Sequence, residues 1–369
     1  MKVLIVANIP SPYRVDFFNE FGKYCNLTVA FEGHFATDRS REWKYGELRN
    51  FSPVFLKGLR IKSDRFLCPG IIRLLKQEWD WIIICGYSSP TMILAIEYLK
   101  INKKPFLLEV DGGFIKKESR FLYRIKRHLI TAARGIFSTG DETTKYLVHY
   151  GADIKNCYKY PFTSLTNKDI EKADELIKQK KDLKIELKIS DNFIILAVGQ
   201  FIYRKGFDIL ISASNLIRSK CDIYIIGGEP LDEYKRMIKL NNIKNIKFIK
   251  FKSKEELKKY YAIADLFILP TRNDIWGLVI NEAMCFSLPV ITTNRCIAGL
   301  ELVKNGYNGC IVESDDHKDL AKAINYIIDN KYGYEFGKRN RDKIKTYTIE
   351  EMVKVHINII NRINNNAND

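Results

Sequence analysis

Short apolar runs alternate with amphipathic stretches along nearly the whole chain, and this alternation leaves few folds open. Residues 3–7, 27–31, 54–56, 81–84, 106–109 and 135–138 are strand-length and almost uniformly apolar. Between them, residues 15–24, 71–78, 91–101, 120–132 and 142–150 carry helical spacing. Strands with no polar face are strands covered on both sides, so the pattern predicts a parallel sheet with helices on each face. The alternation stops near Pro161, and residues 167–188 form a charged, lysine-rich stretch that reads as helix without a strand. It then restarts, with strands expected at 193–198, 223–226, 246–249, 266–269 and 290–292. Helices are expected at 206–217, 233–240, 254–262, 278–286 and 318–327.

The expected fold class is therefore α/β, with two doubly wound Rossmann-like domains. The first covers residues 1–165 and the second 166–346. Residues 347–369 add a helix (349–363) expected to pack back toward the N-terminal domain, followed by a polar, frayed tail at 364–369. A chain of 369 residues, 46% hydrophobic, is long enough to bury two cores. Ligands of open α/β sheets collect at the carboxyl ends of the strands. Both sheets are expected to turn those ends toward a central cleft.

Composition excludes several classes. The eight cysteines (25, 68, 85, 157, 221, 285, 296, 310) form no C-x-x-C pair, which argues against a zinc site or a disulfide framework and for a reducing, cytoplasmic setting. The first apolar run is too short for a signal peptide and meets Pro10 and Pro12, so it reads as a buried strand. No apolar stretch approaches the roughly 18–20 residues of a spanning helix. The net charge of +16 raises nucleic-acid binding, but no zinc-finger spacing, RNA-binding aromatic signature or basic tail accompanies it. An anionic small ligand, an anionic membrane surface or a lysine-rich composition remain as explanations.

Two segments carry the chemistry. Gly199-Gln-Phe-Ile-Tyr-Arg204-Lys205-Gly206 follows an apolar run and opens a helix. A helix N-terminus favours an anion through its amides and dipole, and Arg204 and Lys205 add two full charges beside it. A diphosphate fits, arginine forking onto it and lysine acting as a point charge. The plainer reading is a solvated cation pair. In the second segment, Asp274 and Glu282 bracket the turn from the 266–269 strand into the 278–286 helix. Gly277 permits close backbone approach, and the amides of Gly277, Leu278 and Val279 fall at the helix N-terminus. A phosphate can take those amides while the carboxylates accept hydrogen bonds from sugar hydroxyls. The plainer readings are a helix cap for Asp274 and a surface glutamate for Glu282.

Gly-x4-Arg-Lys-Gly-x-Asp, then Pro270-Thr271, then Asp274-x7-Glu-Ala-Met with Leu288-Pro-Val-Ile following, resembles glycosyltransferase family 4, retaining enzymes of GT-B fold from polysaccharide and lipopolysaccharide synthesis. The resemblance covers most of 193–313 by motif and the N-terminal half by layout. It implies a hexosyltransferase-type enzyme moving a sugar from a nucleoside-diphosphate donor, UDP preferred over GDP, to a glycan or lipid-diphosphate-linked acceptor. It implies no cofactor and no metal, and no D-x-D occurs in the chain. By the resemblance, Arg204 and Lys205 hold the diphosphate beside Gly199, Glu282 binds the ribose, and Asp274 meets hydroxyls of the transferred sugar. The amides at 277–279 complete the phosphate cradle. Three departures stand out. The first acid is Asp274 rather than Glu. Asn8-Ile-Pro-Ser-Pro-Tyr13-Arg14 replaces the glycine-rich loop after the first strand, so Tyr13 and Arg14 become the acceptor-side candidates. The histidine often found near the donor sugar is missing, and Asp111-Gly112-Gly113 stands where a substitute is expected, with Asp111 as a catalytic or sugar-binding candidate. A loop aspartate satisfying backbone amides is the plainer reading of Asp111. The five histidines (34, 128, 149, 317, 356) show no ligand or triad spacing.

One further stretch reads as membrane-surface binding. Lys117, Arg120, Arg124 and Arg127 recur at spacings of three and four, beside an apolar stripe of Phe121, Leu122, Ile125 and Leu129. The first 165 residues hold 26 basic and 16 acidic side chains and the remainder 34 and 28, so the excess leans toward this half. A core-packed helix with a solvated outer face is the alternative. Against the transferase stand two other classes, a nucleotide-sugar epimerase of similar layout and a non-enzymatic nucleotide or nucleic-acid binder. The first needs an acid/base pair at the sugar carbon, which the chain does not offer. The second predicts salt-sensitive binding without nucleotide-sugar recognition.

Overall fold

The computed structural model describes residues 1–37 and 45–365. They form two compact units, Met1–Thr163 together with the last helix, and Ser164–Thr348. The end of the polar tail expected to fray, 366–369, lies outside the described residues.

The first unit contains β1 (Lys2–Ala7), β2 (Asn26–Phe31), β3 (Ser52–Phe55), β4 (Leu59–Lys62), β5 (Arg65–Leu67), β6 (Trp81–Cys85), β7 (Leu107–Val110), β8 (Gly135–Ser138) and β9 (Cys157–Lys159). Its helices are α1 (Pro12–Phe21), α2 (Ile71–Leu75), α3 (Pro90–Ile101), α4 (Arg120–Ile130) and α5 (Asp141–His149). The main sheet is parallel, with order β3-β2-β1-β6-β7-β8-β9. β4 and β5 form a separate antiparallel hairpin. Val3 to Ala7 and Trp81 to Ile84 are buried throughout, as strands covered on both faces require.

The second unit contains β10 (Phe193–Val198), β11 (Cys221–Ile226), β12 (Ile246–Ile249), β13 (Leu266–Leu269), β14 (Val290–Thr293) and β15 (Gly309–Val312), in parallel order β12-β11-β10-β13-β14-β15. Its helices are α6 (Asn167–Lys178), α7 (Lys180–Glu186), α8 (Phe207–Ser214), α9 (Asp232–Leu240), α10 (Lys254–Ile263), α11 (Leu278–Cys285), α12 (Ile297–Leu302), α13 (His317–Asp329) and α14 (Gly333–Ile344). Ile195, Ala197, Ile223, Ile225, Leu266 and Ile268 meet Phe207, Leu210 and Ile324 in one continuous core. The 167–188 stretch is helical but broken at Gln179, which ends α6 and precedes α7. α6 starts at a reciprocal cap: the Thr166 side chain accepts from the Asp169 amide while Asp169 accepts from the Thr166 amide.

The final helix, α15 (Ile349–Asn365), belongs to the first unit and packs on α1. Its His356 is fully buried among Phe17, Phe21, Phe137 and Tyr160. In both sheets the first strand has later strands on each side: β1 lies between β2 and β6, and β10 between β11 and β13. Connections leave in opposite directions at these points, which opens a crevice at the carboxyl ends of β1/β6 and β10/β13.

Candidate functional site

The second unit builds its site on the two loops that flank its crevice. After β10 the chain passes Gly199 and makes a short 3-10 turn, Tyr203–Lys205, capped by Gly206 in the left-handed region at φ 69°. A Cβ on Gly206 would stand 2.0 Å from the Pro270 carbonyl oxygen, so only glycine lets the loop after β10 touch the loop after β13. Contact there is reinforced by the Arg204 carbonyl, which accepts from the Thr271 hydroxyl at 2.9 Å and the Arg272 amide at 2.8 Å.

This stitching places Arg204, Lys205 and Asp274 together. Lys205 Nζ donates to Asp274 Oδ2 at 2.5 Å, and Arg204 Nη1 stands 3.3 Å from Asp274 Oδ1 while donating to the Asn273 carbonyl at 2.8 Å. Lys205 and Asp274 are each 12% exposed at the side chain, whereas Arg204 is 39% exposed. Asp274 is not a helix cap. The N-cap of α11 is Gly277, at φ 107°, where a Cβ would stand 2.9 Å from Cys296 Sγ. Asp274 is instead fixed by its backbone, its amide donating to the Arg295 carbonyl at 2.8 Å. The amides of Leu278 and Val279 occupy the first turn of α11, where no intrahelical acceptor exists.

Glu282 is half-buried one turn inside α11 rather than spread on the surface. Its Oε2 accepts from the Tyr261 hydroxyl at 2.9 Å and its Oε1 from Ser164 at 3.3 Å. Burial pushes its carboxyl above the ordinary range, and the hydrogen bonds from Tyr261 and Ser164 oppose that rise. Tyr261 and Arg272 are residues that sequence reasoning missed. Arg272 forks onto Asp208, lies over the Tyr203 ring at 3.8 Å, and donates to the Tyr203 carbonyl at 2.7 Å. It thereby locks the turn that presents Arg204 and Lys205. Its signal was Asp208, the acid that follows Arg-Lys-Gly.

In the first unit, the expected acceptor-side loop is irregular over 8–11 and helical over its last three residues. Pro12 is the first residue of α1, and Tyr13 and Arg14 follow within its first turn. Arg14 is buried and doubly neutralised: Nη1 meets Glu109 Oε1 at 2.6 Å and Nη2 meets Asp111 Oδ1 at 2.5 Å. Glu109 also accepts from Tyr160 at 2.9 Å and from Cys85 at 3.2 Å. Burial works against the Glu109 charge, yet Arg14, His356 and the hydrogen bond from Cys85 hold it below the ordinary range. Asp111 stands just past β7 and is the open end of the chain of charges, with 37% of its side chain exposed against 7% for Arg14 and 1% for Glu109. Burial and the neighbouring Glu109 push it up, although Arg14 opposes them. Its carboxylate is thus held by Arg14 rather than by loop amides. Tyr13 sets its ring edge-on to Phe162 at 5.7 Å.

The basic stretch needs one correction. Lys117 lies before Ser119, the N-cap of α4, and so does not share a helical face with Arg120, Arg124 and Arg127. The apolar stripe also divides: Leu129 is buried, whereas Phe121, Leu122 and Ile125 are exposed. Among the described residues no group of His, Cys, Asp and Glu is arranged to hold a metal ion, and no helix is long and apolar enough to cross a membrane.

Comparison with known proteins bears on the whole chain. The family described as Glycosyl transferases group 1 matches residues 178–351. The chain is 30% identical over 352 residues to the capsular polysaccharide biosynthesis glycosyltransferase CapM of Staphylococcus aureus, covering 90% of each protein. It is 26% identical over 286 residues to an uncharacterized glycosyltransferase of Haemophilus influenzae, covering 73% of this chain and 79% of that one. Among solved structures, Anabaena Alr3699/HepE in complex with UDP aligns over 100% of both chains with a TM-score of 0.75 at 16% identity. WaaG, a glycosyltransferase involved in lipopolysaccharide biosynthesis, aligns over 97% of this chain and 99% of its own with a TM-score of 0.70 at 14% identity.

Proposed function

We propose, from the fact that the chain belongs to the Glycosyl transferases group 1 family and has GT-B architecture, that it is a retaining, metal-independent transferase of family 4 type. Its role as a glycosyltransferase in polysaccharide synthesis follows from the CapM relationship. The observation that carries the finer reading is the meeting of Arg204, Lys205 and Asp274 beside the N-terminus of α11. A diphosphate entering there competes with Asp274 for both cations and takes the amides of Leu278 and Val279. Asp274, released from part of its pairing, then accepts from hydroxyls of the transferred sugar. Glu282, held by Tyr261, accepts from the ribose.

The donor in this reading is a UDP-sugar, which the UDP and UDP-glucose complexes of the Anabaena neighbour support. The bond from the anomeric carbon to the β-phosphate oxygen breaks, and the electron pair leaves with the diphosphate. Arg204, Lys205 and the helix amides stabilise that charge as it develops. The acceptor hydroxyl attacks from the same face and its proton passes to the leaving phosphate oxygen, so configuration is kept without an enzymic nucleophile. Asp111 is the side chain of the first unit assigned to the acceptor or transferred sugar. The acceptor is a glycan or a lipid diphosphate at the cytoplasmic face of a membrane.

A thermal-shift panel of nucleotide sugars tests the donor site: a UDP-sugar raises the melting temperature by mass action, and the rise disappears in Arg204→Ala and Glu282→Ala. Transfer by either variant at the wild-type rate would sink the assignment. Transfer persisting in EDTA, with the product's anomeric configuration read by NMR, checks metal independence and retention.

A further inference from the structure

We propose that the outer edge of the second unit carries a glycan-binding site of two adjoining hollows, centred on Tyr326, which holds consecutive pyranose rings of a polysaccharide chain. It lies apart from the donor site and does not depend on the roles assigned there.

Both hollows lie along α13, where Asp319, Lys322 and Tyr326, spaced by three and four, share one face. The first, of about 360 Å³, lies between this face, the turn before β15 and residues 310–312. The second, of about 380 Å³, continues past Tyr326 to Arg218, beyond the end of α8. Lys322 and Tyr326 line both, and each volume suits a small ligand (roughly 300–1,000 Å³). β15 ends its sheet two strands out from β13, so roughly 10 Å of sheet separates it from the crevice at β10/β13. The walls are held in place. Asn305 Oδ1 accepts from the Ile311 amide at 3.1 Å, and the Gly306 amide donates to the Gly309 carbonyl at 2.9 Å. On the other side, Asn325 Oδ1 accepts from the Arg218 amide at 3.0 Å and its Nδ2 donates to the Leu216 carbonyl at 3.0 Å. Tyr326, 40% exposed, is the outer end of a ladder of rings: Tyr332 stands 5.1 Å from it, and the buried Phe336 stacks on Tyr332 at 4.9 Å.

The chemistry of the lining selects the occupant. A pyranose has an apolar C–H face and a rim of hydroxyls. Tyr326 offers a flat, supported ring to the face. Donors and acceptors for the rim stand around it. Asn305 uses its oxygen on Ile311, which leaves its Nδ2 to donate beside Lys322 Nζ. Among the described residues Asp319 spends Oδ2 on the Glu313 amide at 3.0 Å, which leaves Oδ1 to accept. The charges balance: Lys322 and Arg218 stand against Asp319 and Asp329, and Asp329 pairs with Arg218. A phosphate or a nucleic acid would meet two carboxylates here. A peptide seeking to extend the sheet finds the outer edge of β15 already taken by the Asn305 side chain. A neutral, hydroxyl-rich chain meets neither obstacle, and two hollows sharing one ring match two successive sugars. A glycan held here stays near the enzyme between additions, at an effective concentration set by its length.

Titration of the full chain with maltotriose, triacetylchitotriose and galactotriose in saturating UDP, read by saturation-transfer-difference NMR and calorimetry, tests the site. At least one trisaccharide is expected to bind with a Kd on the order of 1 mM. Y326A should weaken that binding about tenfold or more, whereas Y326F keeps the ring and the affinity. N305A/K322A, which alters two exposed side chains and leaves the ring ladder whole, should weaken it about tenfold. N305A/K322A should also keep the wild-type melting temperature and nucleotide-sugar thermal shift. R204A should keep trisaccharide binding, so a failure of this site and a failure of the transferase reading give different results. The proposal is overturned if no trisaccharide binds, or if N305A/K322A binds as well as the wild type. It is equally overturned if R204A abolishes the binding, which would put the sugar in the donor site.

Discussion

At the scale of single residues, the molecule separates charges that hold the fold from charges that meet a ligand. Arg14 belongs to the first kind. Its guanidinium is buried against Glu109 and Asp111, so Arg14→Ala leaves carboxylates without their cation. A loss of about 3–5 kcal/mol is expected on urea denaturation. A loss below roughly 1 kcal/mol would return Arg14 to the list of acceptor contacts. Glu282 belongs to the second kind. Glu282→Gln keeps an acceptor for Tyr261 but offers a weaker one to a hydroxyl. Donor KM should rise about 10-fold or more, with stability nearly unchanged. The sequence made Arg204, Lys205, Asp274 and Glu282 legible as types and positions. It could not show that Lys205 and Asp274, 69 positions apart, form a direct ion pair, because that depends on how β10 and β13 pair. Nor could it show Arg14 as buried, since a cation in a proline-flanked segment looks exposed until its partners are found 95 and 97 positions away.

At the scale of elements, the loops after β10 and β13 act as one piece. Gly206→Ala puts a methyl group on the Pro270 carbonyl and holds a residue with a side chain at positive φ. Its melting temperature should fall, with the loss exceeding about 2 kcal/mol, and the nucleotide-sugar thermal shift should shrink with it. An unchanged shift would mean that the two loops need not touch to bind. The long buried strands were readable from apolar runs. β9, β15 and the β4–β5 hairpin were not. Cys157–Lys159 ends on a lysine and Gly309–Val312 opens on a glycine, so neither stands out as an apolar run, and β4 is exposed along its length. The break at Gln179 between α6 and α7 lacks the glycine or proline that normally marks a helix end, so charge pattern alone fuses the two.

At the scale of the whole molecule, pH acts through groups buried when the units form. Burial pushes Glu32 up to about 7 from an ordinary 4.5, against hydrogen bonds from Ser89 and the Phe66 amide. The folded chain therefore holds this proton to higher pH than the unfolded chain does. The stability linked to it is full below about 4.5 and is lost as pH rises through about 7. Glu32→Gln should flatten that decline, a gain over wild type of up to roughly 3 kcal/mol near pH 8. Denaturation midpoints of both proteins across the range would show it, and parallel curves would rule it out. Burial lowers His356, so its contribution is lost on the acid side instead, and the difference between variant and wild type isolates Glu32.

The return of α15 to the first unit has a consequence for synthesis. Ribosomes deliver the chain from residue 1 onward, and domains generally fold as they emerge. Ser164–Thr348 emerges as one uninterrupted piece, but the unit begun first lacks its closing helix until residues beyond Ile349 appear. Phe17, Phe21 and Phe137 wait meanwhile for His356. The later-made half can thus mature before the earlier one. A ribosome that stalls after Thr348 would release a finished second unit tethered to an open first one, a natural substrate for chaperones and proteases.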